Sequence, residues 1–197
     1  MMEAADRKKF RERANRARRG LLNEKKEYSH INDGSGKRYR AGVFYLLSGD
    51  VEKAIDFYSW YEQEFPDDVG EPISELYWAL AHYRAGNIEE ARIRLQSTML
   101  QNVYLLPLLF NKPMETQEIW HGSNLERPEY LFEVEEFLDE PTAEERKWIK
   151  KEFHGKRFEE LRTGYIETYK ALLDERDIEK RGKILDDWHR YAQRFFE

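Results

Sequence analysis

Five histidines, His30, His82, His121, His154 and His189, are the first places to look for chemistry in this chain. They are scattered, and no two stand three to five residues apart as helical zinc ligands would. Three follow an acid by three residues, Glu27 to His30, Glu118 to His121 and Asp186 to His189, which is the spacing of Glu-x-x-His ligands in di-iron bundles. With Asp and Glu making up 39 of 197 residues, coincidence accounts for that pattern, and no metal is expected. Cysteine is absent, which removes thiolate nucleophiles, disulfides, Cys-ligated zinc and iron–sulfur clusters. No Gly-x-Gly-x-x-Gly, phosphate-binding Gly-Lys-Ser loop or Gly-x-Ser-x-Gly elbow occurs. Carboxylate pairs such as Glu135 and Glu136 have no His or Lys patterned around them, as a solvated helix face has and acid/base machinery does not. The expectation is a protein that is not an enzyme and uses no cofactor.

The charge distribution offers binding chemistry instead. Residues 1–22 hold eight basic side chains against three acids, a net of +5, and since the whole chain carries −6 the remainder carries −11. Residues 114–145 contain eleven acids and one base, Arg127. Opposite poles on one chain invite pairing within a molecule or between copies, so a homo-oligomer joined through the basic arm and the acidic region is one expectation. Arg13, Arg16, Arg18 and Arg19 are suited to neutralising phosphates, on a nucleic acid or an anionic membrane surface. Against that, Phe10 is the one aromatic there for base stacking, and the protein is acidic with a pI near 5.6. A solvated helix, or one docked on the acidic region, is favoured over nucleic-acid binding.

The elements that must position these groups read as helices. A hydrophobic fraction of 40% with 14% aromatic residues is enough to fold, while 37% charged residues and a mean hydropathy of −0.90 imply a thin core under an ionic surface, as in a helical array. The length suits one compact domain, or one domain with an arm. The longest apolar run, Val103 to Phe110, is interrupted by Pro107 and is too short to span a bilayer. No apolar stretch follows the basic N-terminus, and Glu3, Asp6 and Glu12 argue against a transit peptide, so a soluble, cytoplasmic protein without membrane insertion is expected.

Residues 3–27 lack proline and carry a narrow apolar stripe from Ala4 through Phe10, Ala14, Ala17 and Leu21, which predicts a helix with a basic outer face. Turn residues cluster from Ser29 to Gly36, the expected hinge of the chain. Two helical hairpins follow, the first turning at Ser48-Gly49-Asp50 and ending at Pro66, the second turning at Ala85-Gly86-Asn87. Their turn glycines lie 37 residues apart, and the stretch Gly49 to Ala54 aligns with Gly86 to Ala91 as an internal repeat. Beyond it, Tyr104 to Phe110 reads as a capping segment and 111–128 as irregular chain. Tyr130 to Leu138 reads as a short acidic helix, and Thr142 with Glu145 as a capping box that opens a helix bearing Trp148, Ile149 and Phe153. Two further amphipathic helices carry Phe158, Leu161, Tyr165, Tyr169 and Leu172, then Ile184, Leu185, Trp188, Tyr191, Ala192 and Phe195.

The repeat resembles the tetratricopeptide repeat, a helix–turn–helix of about 34 residues. Gly42, Tyr45, Ala54, Tyr58 and Pro66 stand at that family's spacing, and Ala79, His82, Ala91, Leu95 and Val103 occupy the same places in a degenerate second copy. Arg38 and Glu75 stand where the family has tryptophan, and three extra residues lie in the connection Asp67 to Pro72. The resemblance covers about a third of the chain. It implies an all-α fold of stacked hairpins over 36–105 and says nothing directly about either end, where the residues themselves predict a basic helix at 1–28 and a helical C-terminal extension over 106–197. It also implies a concave groove for a peptide or helix, formed here by Tyr39, Val43, Leu46, Leu47, Leu76, Leu80, Tyr83 and Arg84. The family's carboxylate clamp needs Lys and Asn where Tyr39, Val43, Leu76 and Leu80 stand, so chaperone C-termini are disfavoured as partners. Two readings stay open: a scaffold or adaptor that binds a protein through this groove, or a groove filled by the protein's own helices. A nucleic-acid- or ribosome-associated role through the basic helix is the alternative function.

Overall fold

A computed structural model describes residues 4–110 and 115–196. The expected helix start at Glu3 and the irregular chain at 111–114 lie outside the described residues. The described chain is all helical, without a strand. It divides into two compact units, Met1–Arg94 and Leu95–Glu197, so the basic N-terminal helix belongs to the same unit as the first hairpin.

In the first unit, α1 (Ala4–Tyr28), α2 (Lys37–Leu47), α3 (Val51–Glu64), α4 (Pro72–Arg84) and the start of α5 (Ile88–Gln101) form successive hairpins. The apolar stripe of α1 is short: Ala14 and Leu21 are buried, and the Phe10 ring meets Phe44 with centroids 5.9 Å apart. Asn15 accepts a 3.0 Å hydrogen bond from the Tyr45 hydroxyl, so α1 runs antiparallel along α2. Ion pairs Arg11–Asp50 and Lys25–Glu64 flank the contact, but exposed pairs contribute little beside the buried apolar stripe.

The expected hinge at 29–36 is a staple. Glu24 accepts the amides of Asn32 and Asp33 at 2.9 and 3.1 Å, and the buried Asp33 carboxylate accepts those of Lys37 and Arg38 at 2.9 and 2.8 Å. Asp33 satisfies first-turn amides of α2 that water would otherwise have to meet, and together with Glu24 it fixes the chain where its glycines would have let it swing.

The two hairpin turns have the same backbone. Gly49 and Gly86 take φ of +84° and +82°, in the left-handed region that suits glycine. In each turn the residue after the glycine donates five residues back, Asp50 to Tyr45 at 3.0 Å and Asn87 to His82 at 2.9 Å. Ala54 and Ala91, which follow at the same offset, are fully buried. The 37-residue internal repeat is therefore also a repeat of local geometry. Between the hairpins, Asp68 gathers the chain, accepting from Arg38, from the Tyr39 hydroxyl and from the Gly70 amide. Glu71 then caps α4 through the Ser74 amide, with Pro72 in the first turn.

In the second unit, Leu105–Leu108 forms a single turn, α6, at the expected capping segment, and its leucines Leu105 and Leu106 are buried. The irregular chain after it is pinned by Asn102, which is fully buried and donates to the carbonyls of Leu125 and Arg127 at 2.7 and 3.1 Å. The expected helix at Tyr130 to Leu138 is two single turns, α7 (Tyr130–Glu133) and α8 (Glu135–Leu138), because the backbone breaks at Val134, which sits at φ −121°. Thr142 and Glu145 make both bonds of the capping box and open α9 (Ala143–Phe153). Arg146 on α9 donates to the carbonyls of Leu109, Leu138 and Pro141, tying three segment ends together. The last two helices, α10 (Lys156–Asp174) and α11 (Ile178–Gln193), pair as a hairpin with an aromatic ladder through Tyr169, Tyr165, Trp188, Tyr191 and Phe195.

Close approach of α2 and α3 depends on Gly42, where a Cβ would lie 2.4 Å from the Tyr58 ring. Tyr58 is fully buried and its hydroxyl donates to the Ser74 carbonyl, so the ring has no room to yield. Gly42→Ala is expected to lower stability by about 1–3 kcal/mol through overpacking, opposite in sign to the roughly 0.5–1 kcal/mol gained where a helical glycine is unobstructed. Gly182→Ala, at a helical glycine with nothing within 4 Å of the added carbon, is the control that should stabilise; denaturant midpoints compare the two.

Candidate functional site

Five of the eight residues expected to line an open groove are buried. Val43, Leu46, Leu47, Leu76 and Leu80 are 0–7% exposed and belong to the core. Each such side chain gains about 1.5–3 kcal/mol on leaving water, which an open groove would forfeit. Tyr39 is half-buried and donates its hydroxyl to Asp68 at 2.8 Å; burial, then Asp68, pushes its pKa up to about 12, so it anchors the link between hairpins. Arg84 donates to the Leu46 carbonyl at 3.3 Å, and Tyr83 is half-buried.

The basic helix keeps part of its charge in solvent. Arg13 is exposed but lies over the Phe10 and Phe44 rings at 5.9 and 5.5 Å, a cation–π use of its charge. Arg18 is half-buried, Arg19 donates to the Asn15 carbonyl, and Arg16 is exposed. Arg16 and Arg19 make no ion pair with another described residue. The shallow depression on this helix, about 380 Å³, includes Asp6 and Glu12 beside Lys9, Arg13 and Arg16, a mixed lining poorly suited to a phosphate. In the acidic region some of the charge is structural: Glu126 accepts the Gly122 amide and Glu145 completes the capping box.

A strongly perturbed carboxyl is Glu75 on α4, 7% exposed, whose pKa burial raises to about 7 despite Arg94. Arg94 lies 3.4 Å over the Trp78 ring and pairs with Glu62, Glu75 and Glu90. The Trp78 indole donates to His82 Nε2 at 3.1 Å, which requires neutral histidine, and burial lowers the His82 pKa accordingly. Shifted groups often mark active sites. Here the buried carboxyl lies behind a stacked guanidinium that joins Glu62 on α3, Glu75 on α4 and Glu90 on α5, a structural cause for the shift. Among the described residues no group of three or more His, Asp or Glu is placed to hold a metal ion.

An open site exists elsewhere, between α10 and α11. A groove of about 840 Å³ runs along the α10 stripe Lys156, Glu160, Thr163, Glu167 and Ala171, one helical row about 22 Å long. Its floor is the α11 stripe Ile184, Trp188 and Tyr191, of which Trp188 is buried against Tyr165 and Tyr191 while Ile184 and Tyr191 stay partly exposed. Opposite that stripe α10 places the small residues Gly164, Thr168 and Ala171 at the same offsets. A Cβ at Gly164 would lie 2.8 Å from the Tyr191 ring, so the helices cross tightly there, and elsewhere small against large leaves a trough. The carboxylates Glu159, Glu160, Glu167 and Asp187 stand on its walls, with Lys156 the one base among the lining residues. None of these residues was expected as a site. The paired stripes at offsets of four and seven residues, small on one helix and large on the next, are the signal in the sequence that marks them.

No family model, curated protein or solved structure matches the chain. No described helix is long and apolar enough to cross a membrane.

Two consequences follow for the first unit. Leu46→Asp should unfold the protein rather than merely remove a binding function, since an unpaired buried carboxylate costs more than about 3 kcal/mol; loss of the helical circular-dichroism signal at 25 °C reads it, and a folded variant would restore the open-groove reading. Glu75, with its folded pKa above the usual carboxyl value, contributes stability below about pH 4.5 that is lost as pH rises through 7. Glu75→Gln should therefore unfold at a higher temperature than the natural protein at pH 8, by the equivalent of about 1–3 kcal/mol, with the gap closing near pH 4.5.

Proposed function

We propose that the protein is a non-enzymatic binding protein of the scaffold or adaptor kind, with two tetratricopeptide-like hairpins, α2–α3 and α4–α5, in which the α10–α11 hairpin carries the surface that holds a protein segment. The observation that carries this is the trough itself: about 840 Å³, elongated, with an aromatic and aliphatic floor beneath exposed polar walls. Grooves between paired helices take amphipathic helices or extended peptides through anchors at helical spacing. The internal repeat with its matched turns at Gly49 and Gly86 supports the tetratricopeptide-like reading. The burial of Leu46 and Leu80 moves the proposed surface away from the face where that family binds its peptides.

The second reading is a nucleic-acid- or ribosome-associated protein using α1, favoured by the exposure of Arg16 and Arg19 without an acidic partner among the described residues. Nuclease separates the two, because it destroys a nucleic-acid partner of α1 and leaves a protein segment in the trough intact.

Ala171 is exposed on the rim, so Ala171→Trp should block the trough without disturbing the core. In parallel captures with nuclease and a moderate-salt wash, the natural protein is expected to retain a protein partner that Ala171→Trp loses. Retention that is identical for both, or that disappears with nuclease and with Arg16→Glu/Arg19→Glu, sinks this reading and favours α1.

A further inference from the structure

Resting on the reading of the α10–α11 trough as a protein-binding surface, we propose that its occupant is a basic amphipathic helix, Lys/Arg-rich on one side and aliphatic on the other. The floor and the walls ask for different things. Ile184, Trp188 and Tyr191 recur at offsets of four and seven residues, which matches the stripe an apposed helix presents. The row from Lys156 to Ala171 gives room for about four helical turns. The walls then select the sign of charge. Glu167 makes no ion pair with a described residue, Glu160 reaches its one base, Lys156, only at 3.8 Å, and Asp187 pairs with Arg190 on its own exposed helix.

An acidic helix or a nucleic-acid backbone entering here would have to bring negative charge beside these exposed carboxylates, which like-charge repulsion opposes. A basic helix reverses that term: its lysines meet Glu159, Glu160, Glu167 and Asp187, while its aliphatic stripe covers the half-buried Ile184 and Tyr191. The like-signed walls also raise the local concentration of a cationic partner before contact, so association should be fast at low salt and slow as salt is added. The exposed acids on α7 and α8, Glu133, Glu135 and Glu136, lie outside the trough and serve as the comparison surface.

The test uses the full chain and three fluorescent peptides of about fourteen residues with one heptad-like Leu pattern, differing only in Lys, Gln or Glu at the polar positions. Anisotropy in about 0.1 M salt is the readout, with circular dichroism of every variant as the check on folding. The Leu/Lys peptide is expected to bind the natural protein. Glu167→Lys/Asp187→Lys should weaken it by about tenfold or more, Ala171→Trp should abolish binding, and Glu135→Lys/Glu136→Lys should leave it within about twofold. Equal binding of the Lys and Glu peptides, or a Glu167→Lys/Asp187→Lys effect below about twofold, overturns the proposal. If the Gln peptide binds as well as the Lys peptide and Ala171→Trp still abolishes both, the trough remains a protein site and only its charge preference falls. If no peptide shows binding that Ala171→Trp removes, the protein-binding reading of the trough falls with it. A dimer of the protein alone in sedimentation, lost in Ala171→Trp, would give the trough to a second copy and would equally overturn the proposal.

Discussion

Four helices of the first unit are held by one continuous stack. The Tyr58 ring sits against the bare Cα of Gly42 on α2 and lies parallel to Trp78 of α4, with centroids 4.9 Å apart and planes within 7°. Arg94 of α5 covers the other part of Trp78 at 3.4 Å. Each layer sets the position of the next: a side chain at Gly42 would push Tyr58, Tyr58 fixes the indole, and the indole carries the guanidinium to which Glu62, Glu75 and Glu90 attach. Interiors packed this closely transmit displacement instead of absorbing it. The raised Glu75 pKa is a product of this stack, since the carboxyl is desolvated by the packing that brings Arg94 to it.

What could be read from the amino acids follows a physical division. Turns and caps are local, and they were legible: Gly49 and Gly86, Thr142 with Glu145, and the breaks at Pro66 and Pro141 announce themselves within a few residues. Conformational freedom was misread where remote side chains remove it. The glycines at 34 and 36 mark a flexible chain, yet Glu24, eight or more residues away, holds the amides that would otherwise let it move. The expected helix at Tyr130 to Leu138 has the right apolar stripe, and its buried side chains are as expected, but no neighbour-by-neighbour rule foretells the break at Val134.

The candidate site shows the same limit from the other side. A stripe of aliphatic residues on a first helix reads equally as a groove and as core, and only the surrounding packing decides; at Val43, Leu46 and Leu76 it decided for core. A stripe of small residues such as Gly164, Thr168 and Ala171 carries information only when paired with the large stripe on the following helix. Each was visible alone. Their register against one another, which creates the trough, is a tertiary fact. Charge was a poor guide for the same reason: the basic helix and the acidic stretch drew notice by their density, while the four wall carboxylates are spread over two helices among bases that balance them in the sequence.

The staple between α1 and α2 also bears on how the chain acquires its structure. Starting a helix is the costly step, because several residues must be ordered before the first hydrogen bond repays them. Asp33 offers two acceptors to the amides of Lys37 and Arg38 before any intrahelical bond exists, and Glu24 has already fixed Asp33 from the preceding helix. Completion of α1 thus lowers the threshold for α2. The contacts involved are close in sequence, so little loop entropy is lost in making them, and hairpin formation can proceed from the N-terminal end as the chain emerges during synthesis.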